Sequence, residues 1–186
     1  MSTLDKNQLI LKKKEAYNFF KELSFSKTID LLNSIIIEDK NDAMCFFLLG
    51  TSYLHTKNLN LSEKNLKISI HLNNEHWDSM HNLGVVYQLK ENLTEAINSY
   101  IKAIKLRPNS LQSLSQLAGV YEKTRSFDKA KQNYETVLNI DSKNFIANRG
   151  MARICIKFGN HKQGMQFLQK SEGLLRFNDK NLEILT

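Results

Sequence analysis

Apolar residues along this chain recur at helical spacing, not in the alternation of a strand. Met80, Leu83, Gly84 and Tyr87 fall at i, i+3, i+4 and i+7, one face of a helix. Ala96, Tyr100 and Ala103 repeat that spacing further on, and the polar run Lys90-Glu91-Asn92 separates the two stretches. The pattern predicts two helices of about a dozen residues each, joined by a short turn into an antiparallel hairpin. The same pattern returns every 34 residues: Leu49-Gly50-x2-Tyr53, Leu83-Gly84-x2-Tyr87 and Leu117-Ala118-x2-Tyr121. A short block repeated at fixed period predicts an array of stacked units. Counted from Leu9, five units follow without insertion: 9–42, 43–76, 77–110, 111–144 and 145–178. Residues 1–8 read as an N-terminal extension and 179–186 as a C-terminal cap or tail. On this count no stretch is expected to form a separate catalytic domain, and no long loop is expected to hold an active site.

Two positions in each unit are restricted in size. The eighth holds Ala16, Gly50, Gly84, Ala118 and Ala152; the twentieth holds Thr28, Ser62, Ala96, Ala130 and Gly164. Small side chains let two helix backbones approach, and overpacking such a contact costs about 1–3 kcal/mol. Larger residues fill the space between hairpins. They are Phe19, Tyr53, Tyr87 and Tyr121 at the eleventh position, and Leu32, Leu66, Tyr100, Tyr134 and Leu168 at the twenty-fourth. Pro108 stands where the second helix of the third unit should stop, since proline cannot continue a helix.

These residues resemble the tetratricopeptide repeat, whose pattern is W-x2-L-G-x2-Y, then A-x3-F, then P, at a period of 34. The third unit matches through Leu83, Gly84, Tyr87, Ala96, Tyr100, Ala103 and Pro108, and the fourth through Leu117, Ala118, Tyr121, Ala130 and Tyr134. The second keeps Leu49, Gly50 and Tyr53 but has Ser62 and Ser69 in place of alanines. The tryptophan of the pattern is replaced by Phe46, Met80 and Leu114. The resemblance implies an all-α, right-handed α-solenoid whose first helices line a concave face. It also implies a function in binding proteins or peptides there.

Groove positions carried over from the family change character along the chain. The early units offer Tyr17, Phe20, Met44 and Phe47, the middle units His81 and Gln112, and the fifth Arg149, Arg153 and Lys157. Such a groove would suit a partner with an apolar anchor and acidic groups, because guanidinium groups hold carboxylates through paired hydrogen bonds. The bland alternatives are that the aromatics are core and the cations solvated surface. The family's carboxylate clamp for chaperone tails is not matched: none of the three frames supplies its cations. The asparagine ladder of the O-linked glycosyltransferase array fails too, with only Asn82 in place.

Charge sharpens this picture. The net charge is +7, yet the first unit sums to zero and the next three to +1 each. The fifth unit reaches +5, with Arg149, Arg153, Lys157, Lys162, Lys170 and Arg176 against Glu172. A basic end, not a basic stripe, argues against a nucleic-acid partner and ranks an RNA-binding repeat last. Cys45 and Cys155 lie in the second and fifth units, too far apart in such an array to pair. Free buried thiols fit a reducing compartment, and the cytoplasm is the expected location. The run Leu9-Ile10-Leu11 is too short for a membrane span.

Catalytic chemistry is missing from the sequence. His55, His71, His76, His81 and His161 are scattered, and no CxxC, HExxH, phosphate loop or GxSxG is present. We expect no enzyme activity, no metal and no cofactor. The last residues are unusually apolar, with Leu174, Leu175, Phe177, Leu182, Ile184 and Leu185, so self-association through this end is one expectation. The string Gly173 to Phe177 resembles the junction between repeat arrays and a following domain in modification enzymes. That resemblance implies the alternative role of a recruitment module for a glycosyltransferase, sulfotransferase or oxygenase.

Overall fold

The computed structural model describes residues 6–172 and the backbone of 175–177 and 182–184. Its helices are α1 Lys6–Lys21, α2 Phe25–Glu38, α3 Ala43–His55, α4 Leu59–Leu72, α5 Trp77–Leu89, α6 Leu93–Leu106, α7 Leu111–Lys123, α8 Phe127–Ile140, α9 Phe145–Lys157 and α10 His161–Glu172. From α3 onward the first helices begin at Ala43, Trp77, Leu111 and Phe145, each 34 residues after the last. The chain divides into two compact units, Met1–Leu106 and Arg107–Thr186. Each is an α-solenoid segment, an array of helical hairpins. In the first, every helix packs on its neighbour in sequence, and the first helices α1, α3 and α5 also touch in turn. In the second, α7 to α10 repeat the arrangement, with α7 against α9.

One turn design recurs at the corner of all five hairpins. The second residue after the first helix takes a left-handed conformation: Leu23, Lys57, Glu91 and Arg125 at φ of 58–61°, and Gly159 at 83°. The next residue then serves both helices. Its N–H donates to a carbonyl five residues back, in the pairs Ser24–Phe19, Asn58–Tyr53, Asn92–Tyr87, Ser126–Tyr121 and Asn160–Cys155 at 2.8–2.9 Å. Its own carbonyl accepts from the N–H four residues on, at Thr28, Ser62, Ala96, Ala130 and Gly164. Orphan groups at two helix ends are thus satisfied through one residue.

The small positions are explained by contact. A Cβ added to Gly50 would lie 2.8 Å from the Leu66 side chain, and one added to Gly84 would lie 2.6 Å from the ring of Tyr100. Ala16, Ala96, Ala118 and Ala130 are fully buried. The two serines that replace alanine are satisfied. Ser62 donates from its hydroxyl to the Gly50 carbonyl at 2.7 Å, and Ser69 to that of Ala43 at 2.8 Å. The core of the first unit gathers around Leu32, Ile35, Leu48 and Leu49. Helix α6 ends at Leu106, ahead of Pro108.

Both ends differ from the sequence reading. Helix α1 begins at Lys6, inside the stretch read as an extension. After α10, Leu175–Phe177 (β1) pairs antiparallel with Leu182–Ile184 (β2), Leu175 opposite Ile184 and Phe177 opposite Leu182. Helical periodicity cannot show a three-residue strand pair. Leu174 and Leu185 of the apolar end lie outside the described residues.

Candidate functional site

In the first unit, the face of α1 that carries Ile10, Lys13 and Tyr17 meets the start of α3. Lys13 Nζ lies 2.7 Å from both Asp39 and Asp42. Asp42 also caps α3, accepting from the backbone N–H of Met44 at 2.9 Å and of Cys45 at 3.1 Å. Burial works against the charge on Lys13, but the hydrogen bonds to the two carboxylates outweigh it and hold the ammonium above its ordinary pKa. Burial likewise opposes the charge on Asp42, and the bonds from Lys13 and the Cys45 N–H keep its carboxyl below the usual range. The Cys45 thiol is pushed up to about 12, first by burial and then by the Asp42 charge, so it is not a nucleophile.

Beside this cluster lies a hollow of about 330 Å³, floored by Leu32, Cys45 and Leu48. Its rim is open and apolar: Ile10 is 58% exposed, Tyr17 49% and Met44 48%. Lys14 is exposed at the same rim. The expected anchors therefore separate into two groups. Tyr17 and Met44 are accessible, whereas Phe20 and Phe47 pack on the core cluster. Phe20 stands edge-on to Phe25 at 5.9 Å, and the Phe47 ring lies 4.7 Å from that of His76. His81 is partly buried 5.6 Å from the Tyr100 ring, and burial lowers its pKa, which favours the neutral imidazole.

In the second unit Gln112 is exposed on α7, and α9 carries Arg149, Arg153 and Lys157 at intervals of four. The Arg149 guanidinium lies over the Phe145 ring at 5.1 Å, and the Lys157 ammonium over Phe127 at 5.0 Å. Arg153 is already engaged. Its Nε and Nη2 donate to the Glu122 carboxylate at 3.1 and 2.6 Å, and the Tyr134 hydroxyl donates to the same carboxylate at 2.6 Å. The hydrogen bonds to Glu122 raise the pKa of Arg153 further. Burial, with Glu122 next, raises that of Tyr134. Sequence reasoning missed Glu122 as the partner of Arg153. Its place next to the last residue of α7 gives no hint that it reaches a cation 31 residues away.

The sequence also missed the Asp39 and Asp42 pair that holds Lys13, because a pairing across 26 and 29 residues leaves no periodic signal. Cys45 and Cys155 are free and buried. Among the described residues there is no group of three or more His, Cys, Asp or Glu placed to hold a metal, and no helix long and apolar enough to cross a membrane.

Repeated hairpins with small residues at the helix crossing and one shared turn define a helical-repeat protein. Residues 78–143 match the tetratricopeptide repeat family, the one the sequence pattern resembles. It is 20% identical over 149 residues to anaphase-promoting complex subunit 3 of Schizosaccharomyces pombe, which covers 80% of this chain and 22% of that protein. The chain spans between about a fifth and two fifths of the length of the curated relatives it matches. Among solved structures, MamA from Desulfovibrio magneticus superposes with a TM-score of 0.81 at 13% identity, over 91% of this chain and 94% of that one. YrrB, described as a TPR protein with an unusual peptide-binding site, superposes with a TM-score of 0.72 at 15% identity, over 83% and 80%. At these identities the likeness is one of fold.

Proposed function

We propose that the chain is a non-catalytic protein-interaction scaffold that captures a peptide segment of a partner on its first-helix face. The observation that carries this is the open hollow of the first unit. Ile10, Tyr17 and Met44 leave about half of their surface in water around a floor of buried apolar side chains. Apolar surface gathered at a concavity is characteristic of ligand sites. A partner would place one apolar side chain there, and acidic groups beside it would meet Lys14. Relatives support the reading: one is by name a subunit of a complex, and another is described as having a peptide-binding site.

Selection from a phage-displayed peptide library tests it. The full chain should enrich peptides with an apolar residue flanked by Asp or Glu, and both Tyr17→Glu and Met44→Glu should lose them while keeping the helical circular-dichroism spectrum. Peptides that bind both variants as well as the parent would refute the assignment of this face.

A further inference from the structure

The eleventh position of the first four repeats carries an aromatic ring, and in the fifth it is Cys155. Tyr87 shows what such a ring does. It lies under the Lys67 ammonium, 5.6 Å from its centroid, and its hydroxyl donates to Glu63 at 3.4 Å. Glu63 and Lys67 are paired with each other at 2.6 Å, one turn apart on α4. The cavity between α4 and α6, about 450 Å³, is bounded by Tyr87 and extends from it along Ile70, Met80 and Leu83, away from the hairpin corner.

Around Cys155 the charged pair recurs without the ring, and Phe158 stands at the position of Lys90. Helix α8 carries Lys131 and Glu135 at the positions of Glu63 and Lys67, the same pair in reversed order, 3.8 Å apart. The groove between α8 and α10, about 370 Å³, runs past Cys155 to the corner residues Phe127 and Phe158. Met151, Ile154 and Cys155 are buried along it, and Phe158 stands 61% exposed at its mouth. The thiol donates to Gln163 Oε1 at 3.7 Å across the groove.

We propose that this slot takes an aromatic side chain, tyrosine in preference to phenylalanine, from a partner polypeptide. The incoming ring supplies the element that the first four repeats carry in their own sequence. Its faces meet apolar side chains and sulfur, contacts that favour an aromatic ring. Its hydroxyl meets the Lys131–Glu135 pair as that of Tyr87 meets Glu63. The slot lies on second helices and does not depend on the first-helix face proposed above.

The test is a methyl-detected NMR titration of the full chain with acetyl-Gly-Tyr-Gly-amide and its Phe and Ala counterparts. The methyl signals of Leu138, Met151 and Ile154 should shift saturably with the Tyr peptide, with at least tenfold weaker binding of the Ala peptide. Cys155→Tyr, which fills the slot from within, should abolish the response, and Cys155→Ser should keep it. Glu135→Lys, on the surface, should remove the preference for Tyr over Phe without unfolding the chain. Equal binding of Tyr and Ala peptides, a response that survives Cys155→Tyr, or an unchanged Tyr preference in Glu135→Lys would each overturn the proposal. Slot signals that move with protein concentration alone would overturn it too, in favour of a second copy as the occupant.

Discussion

The hairpin corners make a quantitative prediction. Four of the five hold a residue with a side chain at φ of 58–61°, where only glycine is at ease. An L-residue in this conformation costs roughly 1–2 kcal/mol from the crowding of Cβ against its own backbone. Glycine removes that crowding, but its freer unfolded chain returns about 0.4–1 kcal/mol. The net expectation is that Leu23→Gly and Arg125→Gly each stabilise by about 0.5–1 kcal/mol. Leu23 is 69% exposed, so little buried surface is lost with it. Gly159→Ala should act in the opposite direction by a similar amount, because nothing lies within 4 Å of the new Cβ and the strain is purely conformational. For a chain of this size the shift in melting temperature is about 2–4 °C per kcal/mol. Urea unfolding followed by circular dichroism is the assay, with the midpoint moving and the slope unchanged. A midpoint that falls in both glycine variants would refute the strain argument. The side chains at the corners would then be making contacts worth more than the strain.

Two further substitutions separate close contact from helix propensity. Gly150→Ala would place Cβ 2.2 Å from the buried Tyr134 ring and should destabilise by about 1–3 kcal/mol or more, whereas Gly119→Ala meets only the Tyr134 hydroxyl at 3.9 Å and should gain up to about 1 kcal/mol; thermal melts decide both. His76 caps α5 by accepting from the Ser79 N–H at 3.2 Å, and burial holds its pKa below the ordinary value. The unfolded chain takes up that proton more readily, so this contribution is complete above pH 6.5, the ordinary histidine value, and is lost as pH falls through the folded value. The melting temperature should drop between pH 7.5 and pH 5.5, and His76→Asn, which can still cap, should flatten part of the drop; calorimetry at the two pH values checks it.

Much of the fold was legible because its constraints repeat. The small residues at the eighth and twentieth positions and the large apolar residues at the twenty-fourth state the hairpin five times, the ring at the eleventh states it four times, and noise in one unit is overruled by the others. Ser62 and Ser69 read as departures from the pattern, yet each hydroxyl finds a buried carbonyl. The left-handed corners were not legible, since Leu, Lys, Glu and Arg carry no sign of positive φ. For the groove, periodicity gave positions but not occupancy. Tyr17 and Phe20 share one helix face, and only packing tells that one is open and the other rests on the core. Arg153 read as a free cation because its partner Glu122 sits on another repeat.

The residue shared by two helix ends has a consequence for how such a chain can change over generations. At each corner Ser24, Asn58, Asn92, Ser126 or Asn160 closes one helix and opens the next within a single residue. Adding or deleting one residue there would break both closures at once and rotate the second helix off its apolar face. Length variation is therefore excluded from the corners and must collect in the links between hairpins, at 39–42, 73–76, 107–110 and 141–144. A loop grafted to give the array a new binding finger belongs in those links.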